Sequence, residues 1–294
     1  MKLFFPLLIL LTWLSGISQT EAHGLDNVFY VFNNSVRSLT DAPNNMEQQV
    51  RLIKELGFDG LGGHYDEDYP KRRGAMEKAG LPMPELYWPV WIQKDGSVSY
   101  KKGIRDIIAD SKHKNLLVSL AVTSNSFKHR SAEADLHLVK AVQELADYAA
   151  PYDVKIAVYP HVNFYCETLA HSIELSKAAD RPNVGAIFNT CHFFKVEGME
   201  NWKQKLKAAI PHLIMISING LDSGDTQNMG WGRLIQPLGK GTFDTYPIIQ
   251  IAKDEGYEGI FGIQCYNIKK DFEATLKESI EVWNTYQIRY NQKH

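Results

Sequence analysis

A (β/α)8 barrel is the fold class that this sequence predicts, and three observations carry the prediction. Eight short runs rich in Val, Ile and Leu recur along the chain. Each is followed by a segment with the apolar spacing of an amphipathic helix. Glycines stand where several of those helices stop and the next run begins. Apolar runs that alternate with helices indicate parallel strands buried on both faces. Eight such units in roughly 270 residues match a closed barrel. An open, doubly wound sheet is the alternative, but no Gly-x-Gly-x-x-Gly follows the first strand, which weighs against it.

Taken in order, the first strand is expected at 28–33, with a helix at 46–56 behind it. That helix ends on Gly57, and Phe58-Asp59-Gly60 leads into a strand at 59–64. The second helix, 68–79, stops at Gly80 before Leu81-Pro82 and a strand at 85–91. Units with strand 116–123 and helix 132–149, and strand 155–161 and helix 168–179, follow the third helix at 102–111. The sixth strand is expected at 184–189 with a helix at 199–209, and the seventh at 213–219 with a helix at 246–255. Asp254-Glu255-Gly256-Tyr257 repeats the glycine stop before the eighth strand, 260–265, and a last helix at 271–287.

The chain has 294 residues, 44% hydrophobic and 22% charged, with a formal net charge of -2. This is ordinary globular composition. It carries no electrostatic footprint for nucleic acid or an anionic membrane. Lys2, the apolar stretch 3–14 and the small or polar Ser15, Gly16, Ser18 and Thr20 read as a secretory signal. A run that short is below the ~20 residues of a stable membrane span. The expected organisation is a signal peptide at 1–22, cut between Ser18 and His23, and a single barrel domain at 23–294. The mature protein is then secreted or periplasmic, without stable membrane association; an uncleaved anchor is the other reading. Cys166, Cys191 and Cys265 are too few, and odd in number, for a disulfide framework, and read as buried thiols. Asn33-Asn34-Ser35 matches a glycosylation sequon.

Barrel enzymes place their chemistry at the carboxyl ends of the strands. Those ends carry Asn33, His64, Tyr87 with Trp88 and Trp91, Thr123 with Asn125, Tyr159 with His161 and Asn163, Asn189 with His192, Ser217 with Asn219, and Gln264 with Tyr266. Strand alternation puts Tyr159 and His161 on one face. Polar strand ends also arise simply from meeting water, but three of ten histidines falling there favours a functional cluster. The long connection from Leu221 to Thr242 exceeds the usual βα length and reads as a cover for the site. It contributes Trp231, Arg233, Lys240 and the acidic Asp222 and Asp225, the last two read chiefly as solvated turn residues.

Three motifs in this order resemble the xylose isomerase-like barrel superfamily, and within it the sugar phosphate isomerase/epimerase group. They are Gly57-Phe58-Asp59-Gly60, Asn189-Thr190-Cys191-His192 (against the family's Asp-Thr-x-His) and the stretch from Pro237 to Asp244 (against Gly-x-Gly-x-x-Asp). The resemblance covers essentially all of the mature chain. It implies sugar isomerisation or epimerisation, and a divalent metal at the strand ends. The family's metal ligands fall here on Tyr159, Asn189, Ser217 or Asn219, and Gln264. All four positions are uncharged, so the usual site should hold Mg2+ or Mn2+ poorly. A site rebuilt from His64, His161 and His192 around a divalent transition metal is one possibility; no cofactor at all is the other.

The resemblance therefore implies proton transfer beside a carbonyl, with His161 or His192 as acid or base. Tyr159, Asn189 and Gln264 would hydrogen-bond the oxyanion. Asn219 belongs to the same polar set. Trp88 and Trp91 could stack on a sugar ring or pack behind the barrel, and Lys240 could pair with an anionic substrate or be an ordinary surface charge. The expected partner is a small carbohydrate, free or oxidised rather than phosphorylated. β-Elimination from an oxidised sugar is a close variant, a non-catalytic sugar-binding barrel is the competing class, and a nuclease is disfavoured by charge and by the missing ligands.

Overall fold

A computed structural model describes residues 24–35 and 41–293. The segment expected to be a signal lies outside the described residues. Eight parallel strands close into a barrel: β1 (Phe29–Phe32), β2 (Gly60–His64), β3 (Glu85–Ile92), β5 (Leu117–Ser124), β6 (Lys155–Val158), β7 (Val184–Asn189), β8 (Leu213–Ile218) and β9 (Ile260–Ile263). The hydrogen-bonded order runs β2-β1-β9-β8-β7-β6-β5-β3, and the β2–β3 pairing closes the circle. Gly63 pairs with Leu86 at that closure, and Asn189 with Ser217 on the far side. A short β4 (Val98–Tyr100) pairs antiparallel with β3.

The helices are α1 (Met46–Glu55), α2 (Tyr69–Ala79), α3 (Ile104–Asp110), α4 (Ala132–Ala149), α5 (Leu169–Ala179), α6 (Thr190–Glu197), α7 (Trp202–Ala209), α8 (Trp231–Leu234), α9 (Tyr246–Asp254) and α10 (Phe272–Asn291). Side chains that can accept from the first free N–H groups begin several of them: Asn45 for α1, Ser131 for α4, Thr168 for α5 and Asp271 for α10. Gly80 ends α2 with φ 64, a left-handed conformation that costs a glycine little. Among the described residues no helix is long and apolar enough to cross a membrane.

Burial divides each strand between two faces. Leu86, Trp88, Val90 and Ile92 of β3 pack outward with Ile104 and Ile108 of α3 and Leu138 and Val142 of α4. The lumen holds Tyr30, Leu117, Ala157, Tyr159, Ile187 and Met215. Tyr30 fills it so tightly that a Cβ at Gly62 or Gly262 would lie 2.6 Å from the tyrosine side chain. Its hydroxyl donates to Glu85 Oε2 at 2.5 Å, and Ser119 Oγ donates to Oε1 of the same carboxyl. Glu85 is fully buried at the start of β3, and the loss of water raises its pKa to about 7.

Several expected strands are shorter in the structure, and two of the differences bear on the site. β6 stops at Val158 and β9 at Ile263, so His161, Gln264 and Tyr266 stand on the loops that follow. The three thiols are buried, and none forms a disulfide among the described residues. The sequon is buried too: Asn33 is 2% exposed, with Oδ1 accepting from the backbone N–H and the Nδ1 of His64.

Candidate functional site

A cavity of about 630 Å³ opens at the carboxyl ends of the strands. It is lined by a chain of rings in mutual contact. Phe32 meets His64 (5.0 Å between centroids), His64 meets Tyr87 (4.9 Å), and Tyr87 meets Tyr159 (5.2 Å). Tyr159 lies 6.1 Å from His161 and 6.2 Å from His192. Phe164 stacks on His161 at 4.0 Å, and Trp231 meets His192 edge-on at 5.5 Å. Asn34, Asn163, Gln264 and Tyr266 add polar groups to the wall. Among the described residues no Asp, Glu, Lys or Arg lines it.

Each polar group has a defined direction. His161 Nδ1 lies 2.7 Å from the Val162 carbonyl. A carbonyl only accepts, so Nδ1 carries the hydrogen and Nε2 is left as the basic nitrogen. Burial lowers the pKa of His161, which keeps the ring neutral near pH 7. Burial, and then the neighbouring His161, hold His192 well below the ordinary histidine value. His192 Nδ1 is buried and has no hydrogen-bond partner among the described residues. Tyr159 is buried, and loss of water raises its pKa well above that of an ordinary phenol. It is therefore a hydrogen donor and not a base. Gln264 Oε1 accepts from Asn34 Nδ2 and from the Tyr266 backbone N–H, which leaves the Nε2 hydrogens for the cavity.

The expected site residues separate into two groups. Tyr159, His161, His192, Gln264 and His64 line the cavity, and Asn189 stands directly behind it, donating Nδ2 to the Tyr159 hydroxyl. Trp88 does not line it. Its side chain is fully buried outside the barrel, stacked on Tyr65 at 4.1 Å with Nε1 donating to the Lys101 carbonyl. Trp91 is 41% exposed, outside the lining. Asn219 Nδ2 binds the Gly220 and Leu234 carbonyls and so holds the backbone of the long connection. Lys240 pairs with Glu278 at 3.3 Å, away from the cavity. Strand alternation leaves open which face is the lumen, and that choice puts Tyr87 inside and Trp88 outside.

Residues that the sequence reading did not assign to the site also line it: Phe32, Asn34, Val162, Phe164 and Ile235. They come from loops, a strand end and, for Asn34, the helical turn just after β1, where periodicity carries no signal. The long connection does cover the site, through Trp231 and Ile235. Asp222 pins it, accepting from Arg233 Nε (2.8 Å), Gln236 Nε2 (3.2 Å) and the Thr242 backbone N–H (3.2 Å). Arg233, the first of its partners, holds the Asp222 carboxyl below the ordinary range.

A metal of the kind the fold implies does not suit these residues. His64 is fixed to Asn33 on the β1–β2 side, and two tyrosine rings separate it from His161 and His192. Among the described residues no three His, Cys, Asp or Glu side chains converge to hold an ion. The three-histidine site is therefore not formed. Asn189 Oδ1 is already engaged by the His192 N–H and the Cys191 thiol, and Gln264 Oε1 by Asn34 and Tyr266.

Residues 50–286 match the family model described as "Xylose isomerase-like TIM barrel". An inosose isomerase from Bacillus licheniformis is 28% identical over 153 residues, which is 49% of this chain and 52% of that protein. The chain thus spans about half the length of that curated relative. A solved IolI protein with a bound zinc atom superposes with a TM-score of 0.70 at 15% identity, covering 89% of this chain and 98% of the other. The 3-keto-D-glucoside 4-epimerase YcjR from E. coli gives 0.64 at 18% identity, covering 84% and 98%. At these identities the solved structures show a common fold.

Proposed function

The chain belongs to the xylose isomerase-like TIM barrel family, and from that premise we propose that it moves a proton on a carbon beside the carbonyl of a neutral keto-sugar. The observation that carries the reading is the orientation of His161. Its Nδ1–H is spent on the Val162 carbonyl, which leaves Nε2 as the basic nitrogen of a ring that lines the cavity. A base with that orientation is ready to take a proton from bound substrate.

The rest of the wall complements that role. As the C–H bond breaks, negative charge grows on the carbonyl oxygen. The Tyr159 hydroxyl and Gln264 Nε2 are donors for it, on side chains that are themselves 5% and 6% exposed. In an isomerisation His161 then returns the proton to the former carbonyl carbon while the hydroxyl proton passes to the former carbonyl oxygen; in an epimerisation the same carbon takes a proton on its opposite face from a second donor, and His161 gives up the first to solvent. The carboxylates that would bind a metal are absent, so no step is routed through one. An uncharged wall favours a substrate without phosphate or carboxylate, and the aromatic rings favour the apolar faces of a sugar. The names of the similar proteins, an inosose isomerase and a keto-glucoside epimerase, fit that class. We place the protein outside the cytoplasm on the strength of the apolar stretch 3–14.

The test is binding and exchange. Inosose and a 3-keto-glucoside should bind, and each should exchange the proton beside its carbonyl for deuterium in heavy water. A phosphorylated ketose should bind more weakly than either. Binding without exchange would make the protein a carbohydrate-binding barrel, and tight preference for the phosphorylated sugar would overturn the substrate class.

A further inference from the structure

We propose that Asn189 is a positioning residue that turns the Tyr159 hydroxyl hydrogen toward the ligand, and that an amide rather than a carboxylate at 189 is what makes Tyr159 a donor. The proposal deepens the carbohydrate reading above and rests on it.

Asn189 occupies two roles at once. It is the last residue of β7 and the cap of α6, where its Oδ1 accepts from the backbone N–H of His192 at 3.2 Å. The Cys191 thiol donates to the same oxygen at 3.1 Å. Those two bonds fix which end of the amide is oxygen, because only oxygen can accept them. Nδ2 must then face Tyr159, and it donates to the phenolic oxygen. A hydroxyl that receives a hydrogen from one neighbour must send its own elsewhere. No described protein group accepts it, and Tyr159 lines the cavity. The ligand is the acceptor left.

An aspartate at 189 would reverse this bond. Its second oxygen has no hydrogen to give, so the hydrogen shared with Tyr159 would be the tyrosine's own. The hydroxyl would then be spent on the protein. The change from the family's Asp-Thr-x-His pattern to Asn189-Thr190-Cys191-His192 therefore does more than remove a charge. With a tyrosine at 159, the amide leaves that hydroxyl to address substrate oxygen, where a carboxylate would claim it.

Asn189→Asp is the decisive variant because aspartate caps a helix as well as asparagine and its charge suits a helix N-terminus. The fold and α6 are thus retained. In the ligand-free protein labelled with 13Cζ tyrosine, the resonance that disappears in Tyr159→Phe should move toward the phenolate position in Asn189→Asp. It should return as the carboxyl is protonated, since a carboxylic acid can donate as the amide does. The titratable groups that surround the pair are Tyr30, Tyr87, His161, His192, Cys191 and Glu85. The unmodified protein carries all of them, so subtracting its profile isolates residue 189. Affinity for inosose should fall roughly tenfold in the variant near pH 8 and recover at acid pH, against the unmodified protein at each pH. A tyrosine resonance unmoved by the substitution overturns the proposal, as does unchanged affinity at both pH values. If inosose fails to bind the unmodified protein, the carbohydrate reading has failed, and the tyrosine resonance alone decides the role of Asn189.

Discussion

The rings of His161 and His192 lie 3.8 Å apart at their centroids, tilted by 44°. Two imidazoles so close and so dry cannot both carry charge at modest cost, and burial together with His161 depresses His192. His161 keeps its Nδ1 bond to Val162, whereas His192 Nδ1 has none among the described residues. The pair is therefore unequal, with one oriented base and one neutral neighbour.

That inequality sets a pH dependence. A base whose pKa is lowered stays competent to a lower pH than an ordinary histidine. Exchange of the substrate proton should fall on an acid limb whose midpoint lies below the ordinary histidine value near 6.5, with a plateau around neutrality. A midpoint above 6.5 would assign the base elsewhere. The limb is read directly from exchange rates measured between pH 4 and 9 (about that range suffices).

Stability should depend on pH in two opposing ways. Glu85 has its folded pKa raised, so its contribution is fully present below the unfolded carboxyl value and is lost as pH rises through about 7. The two histidines have folded values lowered, so theirs is present above about 6.5 and is lost as pH falls. Glu85→Gln keeps the hydrogen-bonding shape and removes the first effect. Unfolding by denaturant should show the parent losing about 2 kcal/mol between pH 5 and pH 8 that the variant does not lose.

The tryptophans should separate binding from stability. Trp88→Ala removes a fully buried ring and should cost about 3–5 kcal/mol of stability. Trp231→Ala strips a wall of the cavity and should weaken sugar affinity, by roughly 2- to 10-fold, with much less effect on unfolding. Trp91→Ala should do neither. Titration calorimetry and denaturant unfolding on the three variants check this pattern.

Asp222→Ala should loosen the cover without touching the base. It removes three acceptor bonds that tie Arg233, Gln236 and the Thr242 backbone to one carboxylate. Affinity should fall several-fold while the acid limb of the exchange profile stays where it is. A shifted limb would mean that Asp222 acts on His161 electrically.

Much of this architecture was legible in the residues. The strand at 184–189 and the helix at 132–149 stand where pattern placed them, because each has a clear period and clear punctuation. Three elements were not. β4 is three residues long, α8 is four, and α6 begins on the residue after β7, with Asn189 serving both. The lumen side of β3 was also hidden, since Tyr87 and Trp88 are both large and apolar enough for either face. Lys240 finds its partner 38 positions along the chain in Glu278, a pairing that depends on how α10 packs. The site's polar character could be read from Tyr159, Asn189 and Gln264. The directions of their hydrogen bonds could not, because those depend on Asn34, Cys191 and Val162 beside them.

His161, as an oriented neutral base, is expected to move the proton beside the carbonyl of a neutral keto-sugar. The most direct measurement is deuterium incorporation into inosose and a 3-keto-glucoside by the unmodified protein and by His161→Gln, with binding followed in parallel. The unmodified protein should exchange that proton, and His161→Gln should slow exchange by 100-fold or more (roughly the worth of a general base) while binding changes little. Exchange undiminished in His161→Gln, or absent from the unmodified protein with both sugars bound, would contradict the account.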